Sequence, residues 1–240
     1  MLRRYKIANV VFDADFIYAY CAHICKDYLY KGDESACFLI KTTQEDIDKE
    51  KALTPEFEQP YLESLAFYRK LLKNLIDYDA FIFHCSAIEV DGKAYLFTAP
   101  SGTGKSTHAR LWRELLKDRA RMINDDKPII RKIDGEFFVF GTPFNGKHEL
   151  GENICAKISA VCEINRAKEN AIKKVKESEM LPTLLNQTLR YDTAKDFDSI
   201  LTLLDQMCKK VDLYKLYCNM NVSAAELSYK VMSGGSDNEN

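Results

Sequence analysis

The chain has 240 residues, of which 46% are apolar and 29% charged, a composition that is ordinary for a globular protein. Its 34 basic and 36 acidic residues leave a formal net charge of −2, with no basic excess for binding nucleic acid or an anionic membrane. No apolar stretch approaches the roughly 18 residues that a membrane span needs, and acidic residues interrupt the apolar N-terminal run too early for a secretory signal. We therefore expect a cytoplasmic protein that binds neither nucleic acid nor a membrane.

The first 78 residues are predicted to form a small N-terminal α+β lobe. Residues 1–45 have the character of short strands, and the apolar segments 5–12 and 36–41 carry the strongest signal. Residues 43–57 are charged and predict a loop or a short helix. Apolar residues at helical spacing predict a helix over 61–78.

Residues 79–232 are predicted to form a second, catalytic domain. Strands are expected over 80–90, 94–99, 121–124, 129–133, 136–140, 158–164 and 213–218. Helices are expected over 105–117, most of 175–211, and 224–232. Asp91-Gly92 and Asp134-Gly135 predict tight hairpin turns. The lysine-rich run 168–176 predicts an exposed helix face, and the polar tail 233–240 is expected to be disordered.

The eight cysteines are irregularly spaced, and in a cytosolic protein they are expected to be free, buried thiols. Cys21, His23 and Cys25 lie within one short segment and are residue types that bind zinc. No second pair at ligand spacing accompanies them. We therefore favour free thiols over a zinc site.

Residues 99–107 fit the phosphate-binding P-loop (Walker A) pattern from its second half onward, between a predicted strand and a predicted helix. The glycines let backbone N–H groups point inward around an anion, and the helix N-terminus adds partial positive charge. The first glycine of the usual pattern is Ala99 here, which is tolerated if its φ angle is negative. The residues predicted to bind ATP are Ser101, Gly102, Thr103, Gly104, Lys105, Ser106 and Thr107.

Two adjacent acids, Asp125 and Asp126, follow the predicted strand 121–124. If the strands run parallel, their carboxyl ends share one edge with the P-loop. Phosphoryl transfer to an alcohol needs one carboxylate near Mg²⁺ and one that takes the hydroxyl proton. We favour these roles over a solvated acidic turn. His84, which ends an apolar strand before the P-loop, is by itself more typical of a structural residue.

Four segments accompany the P-loop in order: residues 84–93, Asn124–Asp126, Gly141–Lys147 and Lys157–Arg166. Together they resemble the catalytic domain of the HPr kinase/phosphorylase superfamily, and more closely the HPr-kinase-like proteins outside sugar regulation, some of which belong to peptide-modification pathways. The resemblance covers roughly the second domain. It implies an α/β fold with a bent mixed β-sheet and a P-loop kinase core, distantly related to phosphoenolpyruvate carboxykinase.

The resemblance also implies an activity. Members of the family transfer phosphate from ATP to a serine hydroxyl, so this chain is expected to be an ATP-dependent kinase that acts on a protein or peptide. Lys105 is then expected to contact the β- and γ-phosphates. Ser106 and Asp126 are expected to bind Mg²⁺.

The same resemblance suggests the catalytic residues. Asp125 is the preferred general base, and Asp126 is the preferred metal partner. His84 would stand near both carboxylates and tune them or the acceptor phosphate. Lys147 would stabilise charge on the transferred phosphoryl group, and Arg166 is a weaker candidate for the same work.

The chain also departs from the family pattern. Thr107 follows the P-loop serine, where the classical enzymes often have an acid, and residues 141–153 replace a glycine-rich signature that is tied to the phosphorylase reaction and to hexamer contacts. The sequence leaves open whether the chain forms a homo-oligomer. Three alternative functions also stay open: a kinase for a small alcohol, a carboxykinase-like lyase, and a non-catalytic ATP-binding regulator.

Overall fold

The computed structural model describes residues 2–146, 148–188 and 193–234. Lys147 lies outside these ranges, as do residues 235–240 of the tail that is predicted to be disordered. The chain divides after Ala80 into two compact units, and each is described by itself. The boundary predicted from the sequence falls between residues 78 and 79.

The N-terminal unit contains a three-stranded sheet and three α-helices within its described residues. Its elements are β1 (Leu2–Ile7), β2 (Val10–Asp15), α1 (Ala19–Ile24), β3 (Leu39–Lys41), α2 (Gln44–Leu53) and α3 (Gln59–Leu75). The strand order is β1-β2-β3, with β1 antiparallel and β3 parallel to β2. The unit therefore combines strands and helices around one small sheet.

The helix predicted over 61–78 is confirmed as α3, which begins with a proline in its first turn, where the missing N–H is harmless. One face of α3 is buried and carries Leu62, Phe67, Leu71, Leu72 and Leu75. Glu63 is buried beside these residues, and its carboxylate accepts hydrogen bonds from the backbone N–H groups of Ile17 (2.6 Å) and Tyr18 (2.8 Å). This pairing explains how a carboxylate is accommodated inside the unit.

Two predictions for the N-terminal unit are wrong. The segment 5–12 is a hairpin and not one strand, because Ala8 and Asn9 form a two-residue turn with φ angles of 51° and 58°. Ala8 is buried, Asn9 is exposed and neither residue is glycine, so a break of one exposed residue in an apolar run did not mark the turn. The strand assignment over 1–45 also missed α1.

The C-terminal unit is built on a curled mixed sheet, whose first strand begins at the boundary residue. The strands are β4 (Ala80–Ile82), β5 (Cys85–Val90), β6 (Lys93–Thr98), β7 (Ala120–Asn124), β8 (Ile129–Ile133), β9 (Glu136–Phe140), β10 (Cys155–Arg166), β11 (Ala171–Lys174) and β12 (Asp212–Cys218). The helices are α4 (Lys105–Leu116), α5 (Glu177–Gln187), α6 (Ala194–Cys208) and α7 (Val222–Met232). The strand order is β4-β8-β9-β10-β6-β5-β7, and β12 joins the second half of β10 with β11 outside it.

The direction of three neighbouring strands positions the candidate site. β5 lies between β6 and β7 and runs antiparallel to both. The carboxyl ends of β6 and β7 therefore meet the beginning of β5 at one edge of the sheet. The expected parallel neighbours are replaced by an antiparallel strand, yet the P-loop and the two acids still emerge at the same edge.

Helices cover both faces of this sheet. Successive residues of β6 belong to different core clusters, with Ala94 and Leu96 in one and Tyr95 and Phe97 in the other, because side chains alternate along a strand. The first cluster includes residues of α5 and α6, and the second includes residues of α4 and α7. None of the helices in the described part of the chain has both the length and the apolarity that crossing a membrane requires.

Two further predictions are corrected here. The strand predicted over 80–90 is interrupted at Phe83 and His84, so that β4 pairs with β8 whereas β5 pairs with β6 and β7. Residues 168–176 do not form a helix face, since they contain β11, which pairs with β12. The hairpins at Asp91-Gly92 and Asp134-Gly135 are confirmed, with all four φ angles between 50° and 81°.

Candidate functional site

The predicted P-loop, residues 99–107, lies between the end of β6 and the start of α4. Gly102 and Gly104 have φ angles of 75° and 128°, a region that favours glycine, and an added Cβ would meet no atom within 4 Å at either position. Glycine is therefore favoured at both positions because the φ angle is positive, and not because a side chain would clash with a neighbouring atom. Ala99 is fully buried and is not among the described residues with positive φ, so alanine meets no strain there.

The P-loop lysine is folded back against its own loop. Lys105 is only 7% exposed, and its Nζ donates a hydrogen bond to the Ala99 carbonyl at 2.9 Å. Burial lowers the pKa of Lys105, and the acidic groups of Cys85, Asp126 and Asp125 oppose that shift. The lysine is therefore electrostatically coupled to both carboxylates of the candidate site.

Arg166, the last residue of β10, is bound to the P-loop backbone. Its Nε donates to the Thr103 carbonyl at 3.0 Å, and a terminal nitrogen donates to the Gly102 carbonyl. The guanidinium group therefore holds two backbone carbonyl groups of the loop. The sequence suggested Arg166 as a phosphoryl-stabilising residue and did not predict this contact.

Asp125 and Asp126 lie just beyond β7 in different surroundings. Asp125 is 9% exposed, and its Oδ1 accepts a hydrogen bond of 2.6 Å from the hydroxyl of Ser86, a buried residue of β5. The Asp126 side chain is 31% exposed, and its Oδ2 lies 3.7 Å from Nζ of Lys127. One acid is therefore fixed by the sheet, while the other is more accessible.

Asn124 joins the acids to the loop that follows β9. Its Oδ1 accepts hydrogen bonds from the backbone N–H groups of Asp126 (2.8 Å) and Lys127 (2.7 Å). Its Nδ2 lies 3.1 Å from the Thr142 hydroxyl and 3.0 Å from Oδ1 of Asn145. Since Asn124 is fully buried, its amide fixes both segments in one arrangement.

His84 occupies the interruption between β4 and β5. Its Nδ1 lies 2.8 Å from Oε1 of Gln187, and its Nε2 lies 3.5 Å from Oδ1 of Asp126. Burial first, and then the charge of Lys105, lower the pKa of His84. The imidazole is therefore neutral near pH 7, and its contact with Asp126 is not an ion pair there.

The structure thus brings together four of the sequence-predicted residues, namely His84, Lys105, Asp125 and Asp126. Lys147 lies outside the described residues. Within the described ranges, no three or more His, Cys, Asp or Glu side chains lie close enough together to hold a metal ion, and Cys21 and Cys25 are buried free thiols.

Sequence reasoning missed three supporting side chains. Ser86 and Asn124 lie inside segments that carried the family resemblance, yet neither residue type alone indicates a hydrogen-bonding role. Gln187 is 103 residues from His84 in sequence, so no local pattern could have connected them.

Among solved structures, the chain is similar to the HPr(Ser) kinase/phosphatase from Coxiella burnetii, with 7% sequence identity and a TM-score of 0.38. The match covers 64% of this chain and 95% of that one. No protein-family model and no curated protein matches the sequence. The similarity is a distant structural relationship.

Proposed function

We propose that this protein is an ATP-dependent phosphotransferase that moves the γ-phosphate of ATP to a serine-type hydroxyl of a protein or peptide. One observation carries the proposal: the P-loop, the two acids and His84 meet at a single edge of the sheet. A triphosphate in the loop would then have carboxylates beside its terminal phosphate. Positioning and charge stabilisation are the main requirements of phosphoryl transfer.

ATP binding would use groups that are already in place. Backbone N–H groups of the P-loop and the N-terminus of α4 would surround the phosphates. The Lys105 ammonium would exchange the Ala99 carbonyl for phosphate oxygens, which are stronger, charged acceptors. Hydrogen bonds from Arg166 to the outer carbonyls would keep the loop in this shape.

The oxygen donors of the site fit Mg²⁺, which prefers oxygen ligands and usually takes only one or two from carboxylates. The hydroxyl of Ser106 and the carboxylate of Asp126 are the residues that would hold the ion, and both are accessible. Bound Mg²⁺ would neutralise charge on the phosphate oxygens.

In the transfer step, the acceptor hydroxyl oxygen would form a bond to the γ-phosphorus as the bond from that phosphorus to the β,γ-bridging oxygen breaks. ADP would leave, and the hydroxyl proton would pass to Asp125, whose position is fixed by the Ser86 hydroxyl. With its Nδ1–H donated to Oε1 of Gln187, neutral His84 would bring no positive charge to compete with Mg²⁺ for Asp126. Lys147 stays the sequence-based candidate for stabilising the transferred group.

Binding is tested by thermal unfolding with Mg-ATP. At a hundredfold excess over Kd, a ligand adds about 2.7 kcal/mol, which raises Tm by roughly 5–10 °C in a chain of this size. We predict that Lys105→Ala abolishes this shift. Arg110→Ala is the matched control, because it removes a positive charge from the same helix at an exposed ion pair with Glu114. A full shift in Lys105→Ala would contradict a triphosphate site in the P-loop.

Transfer is tested by incubating the protein with γ-labelled ATP and peptides encoded beside it. Label on a peptide serine supports the proposal. Label confined to a small alcohol would favour the small-molecule kinase, and ATP binding without any labelled product would favour a regulator.

A further inference from the structure

A cavity of about 410 Å³ opens beside the P-loop. Residues 102–104 of the loop and Thr107 of α4 form one side, and the ends of β10 and β12 form another. The volume falls within the roughly 300–1,000 Å³ of typical small-molecule sites. A ligand in this cavity would therefore be continuous with one in the P-loop.

The cavity walls suit a flat, uncharged ring. Leu111, Ile164, Ala167 and Met220 contribute apolar surface, and Met220 is 77% exposed at the rim. Arg166 is the one ionised side chain among the described residues that line it. A guanidinium group stacks well on aromatic rings, and a methionine adapts to them. Because the lining contains no carboxylate, it would not repel a neighbouring phosphate.

The wall contributed by α4 is rigid and neutral. The Ser228 hydroxyl donates to the Ala225 carbonyl (3.1 Å) and accepts from Nε1 of Trp112 (2.8 Å), so Nε2 of His108 is the donor in its 2.9 Å contact with Ser228. Burial lowers the pKa of His108 to about 4, which keeps the ring uncharged at neutral pH. These bonds fix His108 as a wall of the cavity. Trp112 itself is fully buried.

We propose that this cavity holds the nucleobase of the nucleoside triphosphate whose phosphates the P-loop binds, an inference that rests on the proposed function. The polyanionic end of such a ligand matches the N–H groups of the loop, and its aromatic end matches the apolar walls. Arg166 contacts both regions, since it lines the cavity and also holds the carbonyls of Gly102 and Thr103. Occupation of the cavity by a base would therefore reinforce the loop conformation that binds phosphate.

The test compares two ligands that share their phosphates and differ in the base. Dissociation constants for Mg-ATP and for magnesium tripolyphosphate are measured by calorimetry on the full chain. We expect the unmodified protein to bind Mg-ATP at least about tenfold more tightly than tripolyphosphate. A tenfold difference in Kd corresponds to only about 1.4 kcal/mol of binding free energy. Ala167→Trp, which places an indole at the cavity edge, should weaken Mg-ATP binding until the two dissociation constants are about equal. Its tripolyphosphate binding should be unchanged. Glu169→Trp, two residues along and outside the cavity lining, is the matched control and should keep the ratio.

Equal affinities of the unmodified protein for both ligands would overturn the assignment of the cavity while leaving the P-loop site standing. An unchanged ratio in Ala167→Trp would overturn it as well. Failure of both ligands to bind the unmodified protein would instead overturn the proposed function, and the cavity assignment with it. The comparison in the unmodified protein needs no substitution, so the inference stays falsifiable even if Ala167→Trp does not fold.

Discussion

Asn124 connects the segment of the two acids to the loop that follows β9. It is fully buried, it accepts from two backbone N–H groups beyond β7, and it donates to the loop after β9. A hydrophobic residue of similar size would leave these groups without partners in a dry interior. Removing one partner of a buried hydrogen bond has a larger effect on stability than the average bond contributes.

We predict that Asn124→Ala lowers the free energy of unfolding by about 2–3 kcal/mol, because several buried polar groups lose their partner. Denaturant unfolding measures this value. Asn145→Ala is the control, since it removes only one of the acceptors of the Asn124 amide and should have a clearly smaller effect. Equal losses in the two variants would show that the Asn124 amide does not organise these segments.

Among individual residues, the sequence was informative where chemistry depends on residue type. Lys105, Asp125 and Asp126 were predicted as site residues because phosphates need cations and metals need carboxylates, and their roles stay predictions. Ser86 was not, because a serine in a strand has no distinctive signal until its carboxylate partner is located in space.

At the scale of elements, the hairpin turns show how backbone conformation limits the choice of residue. Gly135 has a φ angle of 79°, and an added Cβ would meet no atom within 4 Å. Any penalty for a side chain there would come from the left-handed backbone alone. This turn joins β8 and β9 and so supports the sheet next to β10.

We predict that Gly135→Ala lowers the free energy of unfolding by about 1 kcal/mol or slightly more, which is the usual penalty for a non-glycine residue in this conformation. The midpoint of a denaturant titration reports the change. Asp134→Asn, in the same turn, should stay within about 0.5 kcal/mol of the unmodified protein, because asparagine tolerates positive φ. A Gly135→Ala variant with an unchanged free energy of unfolding would mean that the turn adopts another conformation.

The elements that the sequence missed share a physical reason. The Ala8-Asn9 turn lacks glycine and is partly buried, and buried residues flank the break at Phe83 and His84 on both sides, so hydrophobicity marked neither. β11 is a lysine-rich edge strand, and edge strands often carry lysine on their open side. Such a composition is also typical of a solvated helix.

At the scale of the whole molecule, the C-terminal unit alone supplies the described residues of the candidate site. The convergence of the P-loop and the acids follows from the antiparallel placement of β5 between β6 and β7. The sequence indicated this convergence on the assumption of parallel neighbours. Strand order depends on contacts between distant segments, which no local pattern records, so the correct topology could not be predicted.

The most direct test of the central claim is transfer of labelled γ-phosphate by Asp125→Asn, measured beside the thermal shift with Mg-ATP. Asparagine keeps an acceptor for the Ser86 hydroxyl but cannot take a proton, so binding should persist while transfer falls about 10²–10⁴-fold. Asp126→Asn is the matched variant, and it should weaken the magnesium-dependent shift itself. Transfer by Asp125→Asn at the rate of the unmodified protein would contradict the assignment of the general base, and binding of Mg-ATP by the unmodified protein without transfer to any hydroxyl would contradict the kinase.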